Sequence, residues 1–164
     1  MDKIDVKAGE WVVVCDGRKA LILENIGNQT FPNLRTKEVR EHREGRTSAQ
    51  GSDAPGRVHQ SVGPARSKVE QTDWHDQEER AFLTALGNRL HVALSQGETP
   101  ALIIVAAPRA LGMLRDLYSP AVRKAIRVEL RKDLVKLPVH EIEKELLFAA
   151  HGQRTHGRNA SSLI

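Results

Sequence analysis

Three short apolar runs constrain the fold of this chain more than any other feature. They are residues 10–15 (EWVVVC), 19–26 (KALILENI) and 101–106 (ALIIVA). Each has the length and the β-branched content of a strand, and each is too short to span a bilayer. A run that is apolar at successive positions indicates a strand covered on both faces. The sequence therefore predicts a sheet with buried central strands.

Three further segments bear on the sheet. The dipeptide Asp16-Gly17 separates the first two runs and is typical of a tight turn, so the chain is predicted to open with a β-hairpin. Residues 34–41 (LRTKEVRE) are charged and weakly periodic, which fits an edge strand or a short helix. Residues 126–134 show both strand alternation and helical spacing, so periodicity alone leaves both structures open there.

Helices are predicted in the second half of the chain. The first begins with Asp73 as its N-cap and ends at Gly97. Its apolar stripe consists of Phe82, Leu83, Leu86, Leu90, Ala93 and Leu94. Pro108, Ser119-Pro120 and Pro138 mark the starts of three shorter helices. Because a hairpin comes first and strands alternate with helices later, we expect a single α/β domain with a mixed sheet and helices packed on it.

Composition divides the chain into three parts and marks a loop within the second. Residues 1–9 are an N-terminal extension, and residues 10–150 form the α/β domain. Within that domain, residues 41–72 are rich in Gly, Ser, Pro, Arg and His and nearly lack large apolar side chains, which predicts a long basic surface loop. Residues 151–164 are polar and Gly-rich and are predicted to be a flexible tail.

Several kinds of site are excluded by the residues present. Cys15 is the one cysteine, so neither an internal disulfide nor a CxxC-type zinc site can form, and its apolar surroundings predict an inert, buried thiol. The sequence contains no HExxH, GxSxG, Walker or GxGxxG motif, so we expect no cofactor. It also contains no signal peptide and no run long enough for membrane insertion, which predicts a cytoplasmic location.

Carboxylates offer one alternative, a metal-dependent nuclease. Such a site requires several converging carboxylates. Asp16 follows the first strand, and Asp133 follows the possible strand near the end of the domain. The remaining candidates are Asp73, Asp76 and Asp116. Since Asp16 is also explained by a turn and Asp73 by a helix cap, the sequence does not require these groups to converge, and no metal site is predicted.

Basic residues give the stronger candidates for binding. The formal net charge is +4 and the isoelectric point is about 9.5, which permits an acidic partner without requiring one. Flexible backbone and forked donors suited to phosphate oxygens occur together in the loop. The predicted phosphate-binding residues there are Arg46, Arg57, His59, Arg66 and Lys68. Arg109 and Arg115 mark a second polar site, where a helix begins just after the third apolar run.

Five segments together resemble one family. They are WVVVCDGRKALIL, DAPGRVHQS, EERAFLTALGNRL, LIIVAAPRALGMLRDLYSPAVRKAI and ELRKDLVKLP, in this order between about Glu10 and Leu147. The chain resembles the bacterial proteins required for attachment to host cells, a family similar to the middle domain of class-1 release factors of eukaryotes and archaea. The resemblance implies a ribonuclease H-like fold with a five-stranded mixed sheet. It also implies that residues 126–132 form a strand with Asp133 at its end.

The resemblance suggests association with the ribosome or with transfer RNA. The Gly-Gly-Gln tip with which release factors promote ester hydrolysis is absent from this sequence, so that activity is not carried over. We therefore expect a non-enzymatic accessory protein that contacts RNA or the ribosome through its basic loop. The alternatives are a hydrolase, either a metal-dependent nuclease or one acting on a tRNA ester, and a protein-interaction module that affects attachment indirectly. The oligomeric state stays open.

Overall fold

The computed structural model, which describes residues 4–42 and 68–149, contains a five-stranded sheet in the order β3-β2-β1-β4-β5. The strands are β1 (Trp11–Cys15), β2 (Lys19–Asn25), β3 (Leu34–Glu41), β4 (Leu102–Ala106) and β5 (Ile126–Arg131). The β1–β2 and β2–β3 pairs are antiparallel, whereas β1–β4 and β4–β5 are parallel. This confirms the mixed sheet predicted from the residues and the five strands that the family resemblance implies.

Helices cover both faces of the sheet. They are α1 (Lys68–Ser95), α2 (Pro108–Leu117), α3 (Pro120–Ala125) and α4 (Val139–Glu143), and a π-helical segment (Lys144–Ala149) continues α4. Residues of α1, α2 and α3 share one core with the sheet, and residues of α4, the π-helical segment and the N-terminal segment share the other. No helix in the described part of the chain is long and apolar enough to cross a membrane.

The two central strands explain why both faces are covered. Every residue of β1 and β4 is buried. Alternate residues of a strand point to opposite faces, so Ile104 lies in the core beneath α1–α3, while its neighbour Ile103 lies in the core beneath α4. The three apolar runs thus form β1, β2 and β4, as predicted.

The opening hairpin depends on one carboxylate and one glycine. Asp16 Oδ1 accepts hydrogen bonds from the backbone N–H groups of Arg18 (2.8 Å) and Lys19 (2.9 Å), which holds the turn between β1 and β2. A Cβ at Gly17 would lie 2.8 Å from the carboxyl carbon of Glu79, so the glycine lets α1 place this side chain against the turn. The predicted tight turn is therefore present, and α1 packs directly beside it.

Most predicted helix boundaries are confirmed. Pro108 is the first residue of α2, and Ser119 Oγ accepts a hydrogen bond from the N–H of Val122 at the start of α3. Gly97 has a φ of +72° just beyond the end of α1. The prediction that α1 begins with Asp73 as its N-cap is wrong, because the helix begins at Lys68. Residues 68–72 (KVEQT) contain no glycine or proline to interrupt the helix.

The two segments whose sequence fits either a strand or a helix both form strands. Residues 34–41 form β3 at one edge of the sheet, and Ile126–Arg131 forms β5 at the other. Pairing with β4 decides the second case, since Ile103 is opposite Val128 and Ile104 is opposite Glu129. The register shifts between Leu102 and Ile103, because Leu102 is opposite Ile126. Arg127 is therefore an extra residue in β5, and the strand bulges there.

Truncation of a central core residue should destabilise the protein far more than the same truncation at the surface. Ile104→Ala removes a side chain that is 0% exposed and should lower the free energy of unfolding by about 2–5 kcal/mol. Ile26→Ala is the matched control, because Ile26 is 56% exposed, and should change it by less than about 0.5 kcal/mol. Urea unfolding followed by circular dichroism measures both; similar losses would contradict the burial of β4.

Candidate anion-binding site

Four of the predicted phosphate-binding residues lie outside the described residues: Arg46, Arg57, His59 and Arg66. Lys68 is the first residue of α1, and its side chain also lies outside the described part of the chain. Their role in phosphate binding stays a prediction.

Arg109 lies at the start of α2, just beyond the carboxyl ends of β1 and β4. It donates hydrogen bonds to Asp76 and, from Nε, to Glu79 Oε1 at 2.9 Å. The hydrogen bond to Glu79 and the negative charges of Glu79 and Asp76 raise the pKa of Arg109. A phosphate that bound Arg109 would have to compete with two carboxylates, so this residue is placed at a strand end but is already neutralised.

Asp16, Asp133 and Cys15 are described groups whose chemistry could serve metal binding or nucleophilic attack. Asp16 holds the hairpin turn, and Asp133 follows β5. Among residues 4–42 and 68–149, no group of three His, Cys, Asp or Glu side chains is placed to hold a metal ion. Burial, together with the negative charge of Asp16, raises the pKa of Cys15 to about 12. The thiol is therefore protonated at neutral pH, and its burial, which the sequence predicts, is confirmed.

A pocket of about 360 Å³ lies beside the edge strand β5, where α2 and α3 approach it. Its lining contains three arginines and one carboxylate. The lining residues are Arg115, Tyr118, Arg123, Ile126, Arg127, Val128 and Glu129. The surplus of cations makes it a candidate site for an anion.

Local structure brings these side chains together. The Ser119 cap and Pro120 start α3 directly after Tyr118, so Arg123 lies one helical turn further along. Glu129 is opposite Ile104 in the sheet, and Ile104 belongs to the core beneath α1–α3, so Glu129 is on the same face as α2 and α3.

Two of the three arginines are paired with carboxylates. Arg115 donates from Nε (3.0 Å) and Nη2 (2.8 Å) to Oε1 of Glu129. Arg127 donates from Nε to Glu10 Oε2 (2.8 Å) and from Nη2 to Glu10 Oε1 (2.6 Å), and it also donates to the carbonyl oxygen of Asp5 (2.7 Å). The forked Arg127–Glu10 pair ties β5 to the start of β1, across the end of β4.

Arg123 is the arginine of the pocket without a carboxylate partner among the described residues. Its Nη2 donates to the carbonyl oxygen of Arg115 at 2.8 Å, and its guanidinium lies 5.7 Å from the centre of the Tyr118 ring. Neither contact neutralises the charge. With Arg115 and Arg127 each offset by a glutamate, the pocket carries one net positive charge.

The carboxylate that holds Arg127 is nearly inaccessible to solvent. Glu10 is 3% exposed. Burial by itself raises the pKa of Glu10, but the hydrogen bonds from Arg127 and from the backbone N–H of Lys7, together with the positive charges of both residues, outweigh burial. The pKa of Glu10 is therefore lowered from its ordinary value, and the carboxylate of the folded protein is ionised at neutral pH.

The hydroxyl of Tyr118 is the unusual polar group of the pocket. The residue is 7% exposed, and its hydroxyl makes no hydrogen bond of normal geometry within the described part of the chain. Burial, and then the negative charge of Glu129, raise the pKa of Tyr118. The hydroxyl is thus a protonated donor close to a carboxylate.

Sequence reasoning found one residue of this pocket. Arg115 was a candidate with Arg109, but the structure separates them: Arg109 pairs with Asp76 and Glu79, and Arg115 lines the pocket. A usable signal was present in residues 120–131, which contain four cations and one anion. That count alone did not indicate which charges were neutralised.

Comparison with known proteins identifies the family. The family described as "protein required for attachment to host cells" matches residues 11–146, so the chain belongs to it. A crystal structure of an archaeal translation termination factor is similar to this chain with a TM-score of 0.45 and 11% sequence identity. The similarity covers 94% of this chain and 40% of the termination factor. A comparison with curated proteins gave no match.

The Arg127–Glu10 pair should make stability depend on pH in acid. Because the pKa of Glu10 is lower in the folded protein than in the unfolded chain, its contribution is present above the unfolded pKa, near 4.5, and is lost as the pH falls through the folded value. Glu10→Gln should cost about 1–3 kcal/mol at neutral pH, and this cost should shrink in acid. Urea unfolding across this pH range measures the difference.

Glu41→Gln is the control for this prediction, because the Glu41 side chain is 51% exposed and lies 3.9 Å from Lys19. A weak surface pair of this kind should contribute little at any pH. A cost of Glu10→Gln that stayed constant from neutral pH to acid would contradict the lowered pKa.

Proposed function

We propose that this member of the host-attachment family is a non-enzymatic accessory protein that binds RNA, free or within the ribosome, through contacts to phosphates. The observation that carries the proposal is the cationic edge of the fold formed by α3 and β5, with the unneutralised Arg123 at its pocket. RNA is found in the cytoplasm, so the proposal places the protein there. An effect on attachment to host cells would then be indirect.

Charge density along this edge supports a polyanionic partner. Residues 120–131 carry Arg123, Lys124, Arg127 and Arg131 against Glu129 alone. Arg123, Lys124 and Arg131 are exposed. Guanidinium groups donate in a fork that matches phosphate oxygens, and successive cations along one edge suit a partner with a repeating negative charge.

The basic loop would supply further phosphate contacts. Arg46, Arg57, His59, Arg66 and Lys68 lie outside the described side chains, and in this proposal they add phosphate contacts from a second segment of the chain. Arg109 contributes only if an RNA phosphate displaces Asp76 and Glu79 from it. We therefore assign the first contacts to the α3–β5 edge.

The non-enzymatic part of the proposal is supported by the surroundings of the reactive groups. Cys15 is buried with a raised pKa, and Asp16 uses a carboxylate oxygen to hold the turn. These groups contribute to folding in ways that leave neither of them poised as a nucleophile or a base.

Removal of charge from the α3–β5 edge should weaken RNA binding. We expect Arg123→Gln/Arg131→Gln to lower the affinity for a short unstructured RNA, measured by fluorescence anisotropy at several salt concentrations. The slope of log affinity against log salt should decrease in magnitude by roughly 1.4, about 0.7 for each lost phosphate contact. The double variant should also co-sediment less with ribosomes at low salt.

Arg35→Gln/Arg80→Gln is the matched control. It removes the same charge from two exposed arginines, one on the opposite edge strand β3 and one on α1. The control should keep the affinity of the wild-type protein to within about twofold and its salt slope. Equal losses in the two double variants, or binding that does not depend on salt, would contradict phosphate contacts at the α3–β5 edge.

A further inference from the structure

The pocket beside β5 contains an acceptor as well as donors. Oε1 of Glu129 accepts both hydrogen bonds from Arg115, and its Oε2 accepts none among the described residues. A carboxylate repels a bare phosphate, so a site that bound only phosphate would be stronger without it. The combination suits a ligand that presents both an anion and a hydroxyl.

Tyr118 adds a second group that a ligand could satisfy. A buried hydroxyl whose contact with Glu129 falls short of good hydrogen-bond geometry carries an unfavourable desolvation term, and the Tyr118 hydroxyl is shielded from bulk water. It is also able to donate and to accept. A small movement of Glu129, or a polar group inside the pocket, would give this hydroxyl a partner.

We infer that the pocket takes one ribonucleotide unit of an RNA chain, with the phosphate against Arg123 and the ribose 2′-hydroxyl donating to the Glu129 carboxylate. This inference rests on the proposed function and adds to it the means of selecting RNA over DNA. The phosphate of a chain carries a single negative charge, and the pocket carries a single net positive one. A volume of about 360 Å³ falls within the usual range of small-molecule sites, about 300–1,000 Å³.

The Glu129 carboxylate, as a hydrogen-bond acceptor, is the group that would distinguish RNA from DNA. A deoxyribose has no 2′-hydroxyl to donate, so bound DNA leaves Oε2 of Glu129 without a hydrogen-bond donor close to a phosphate, while Oε1 stays paired with Arg115. RNA should therefore bind about tenfold more tightly than DNA of the same sequence at the same salt concentration, since a hydrogen bond to a charged group is worth at least that factor. Contacts to phosphate alone would give no such difference.

Two substitutions at Glu129 separate the acceptor from the charge. Glu129→Met removes both at similar length, so the protein should bind DNA more tightly and prefer RNA by less than about twofold. Glu129→Gln removes the charge but keeps a carbonyl acceptor, so RNA and DNA should both bind more tightly and RNA should still be preferred. Arg123→Gln should weaken both nucleic acids by the same factor, because it removes a phosphate contact.

The measurement is fluorescence anisotropy with a labelled, unstructured uridine-rich RNA and the DNA of matching sequence, at one salt concentration. Circular dichroism and thermal unfolding establish that each variant is folded, and Glu129→Gln, which is nearly isosteric, keeps the test usable if Glu129→Met is not. Equal wild-type affinities for RNA and DNA that still fall in Arg123→Gln/Arg131→Gln would overturn this inference and leave the proposed function standing. An RNA preference that survived Glu129→Met would also overturn it. Absence of nucleic-acid binding would overturn the proposed function itself.

Discussion

Burial of β1 and β4 on both faces determines where the other elements of the fold can lie. The ten residues of these strands are all buried, so each face of the sheet needs its own covering layer. Helices α1–α3 supply one layer, and α4 with its π-helical continuation and the N-terminal segment supplies the other. Within the sheet, charged side chains are thereby confined to the two outer strands and to positions near the strand ends. The Arg109 cluster occupies a strand end, and the arginine-lined pocket occupies the β5 edge.

Features encoded by neighbouring residues could be predicted from the sequence, and features decided by distant contacts could not. The apolar runs, the Asp16 turn and the Ser119 cap are local, and each was found. Residues 126–131 satisfy helical and strand periodicity equally, and pairing with β4, more than twenty residues earlier, selects the strand. The predicted start of α1 was wrong for a different reason. Asp73 is a good cap residue, but it is also acceptable inside a helix when the preceding residues do not end that helix.

The candidate site also shows this difference between features encoded locally and features decided by distant contacts. The sequence gives the charges but does not show which of them neutralise each other. Arg109 was a reasonable candidate, yet packing of α1 against the Gly17 turn brings two carboxylates to it. Arg127 is offset by Glu10, a residue 117 positions away, whereas Arg123 meets no carboxylate in the described part of the chain. These pairings are set by sheet order and by the bulge at Arg127, and neither is visible in a list of residues.

The position of β5 at the edge of the sheet has a consequence for how any partner can approach. An edge strand presents unpaired backbone N–H and C=O groups, which invite extension of the sheet by another chain. β5 alternates charged and apolar residues along this edge, with Arg127, Glu129 and Arg131 in turn, and its bulge interrupts the regular ladder. Charges and bulges are the devices by which proteins prevent strand addition. The charged side chains and the bulge therefore disfavour the addition of another strand at the same edge where the proposed ligand would bind.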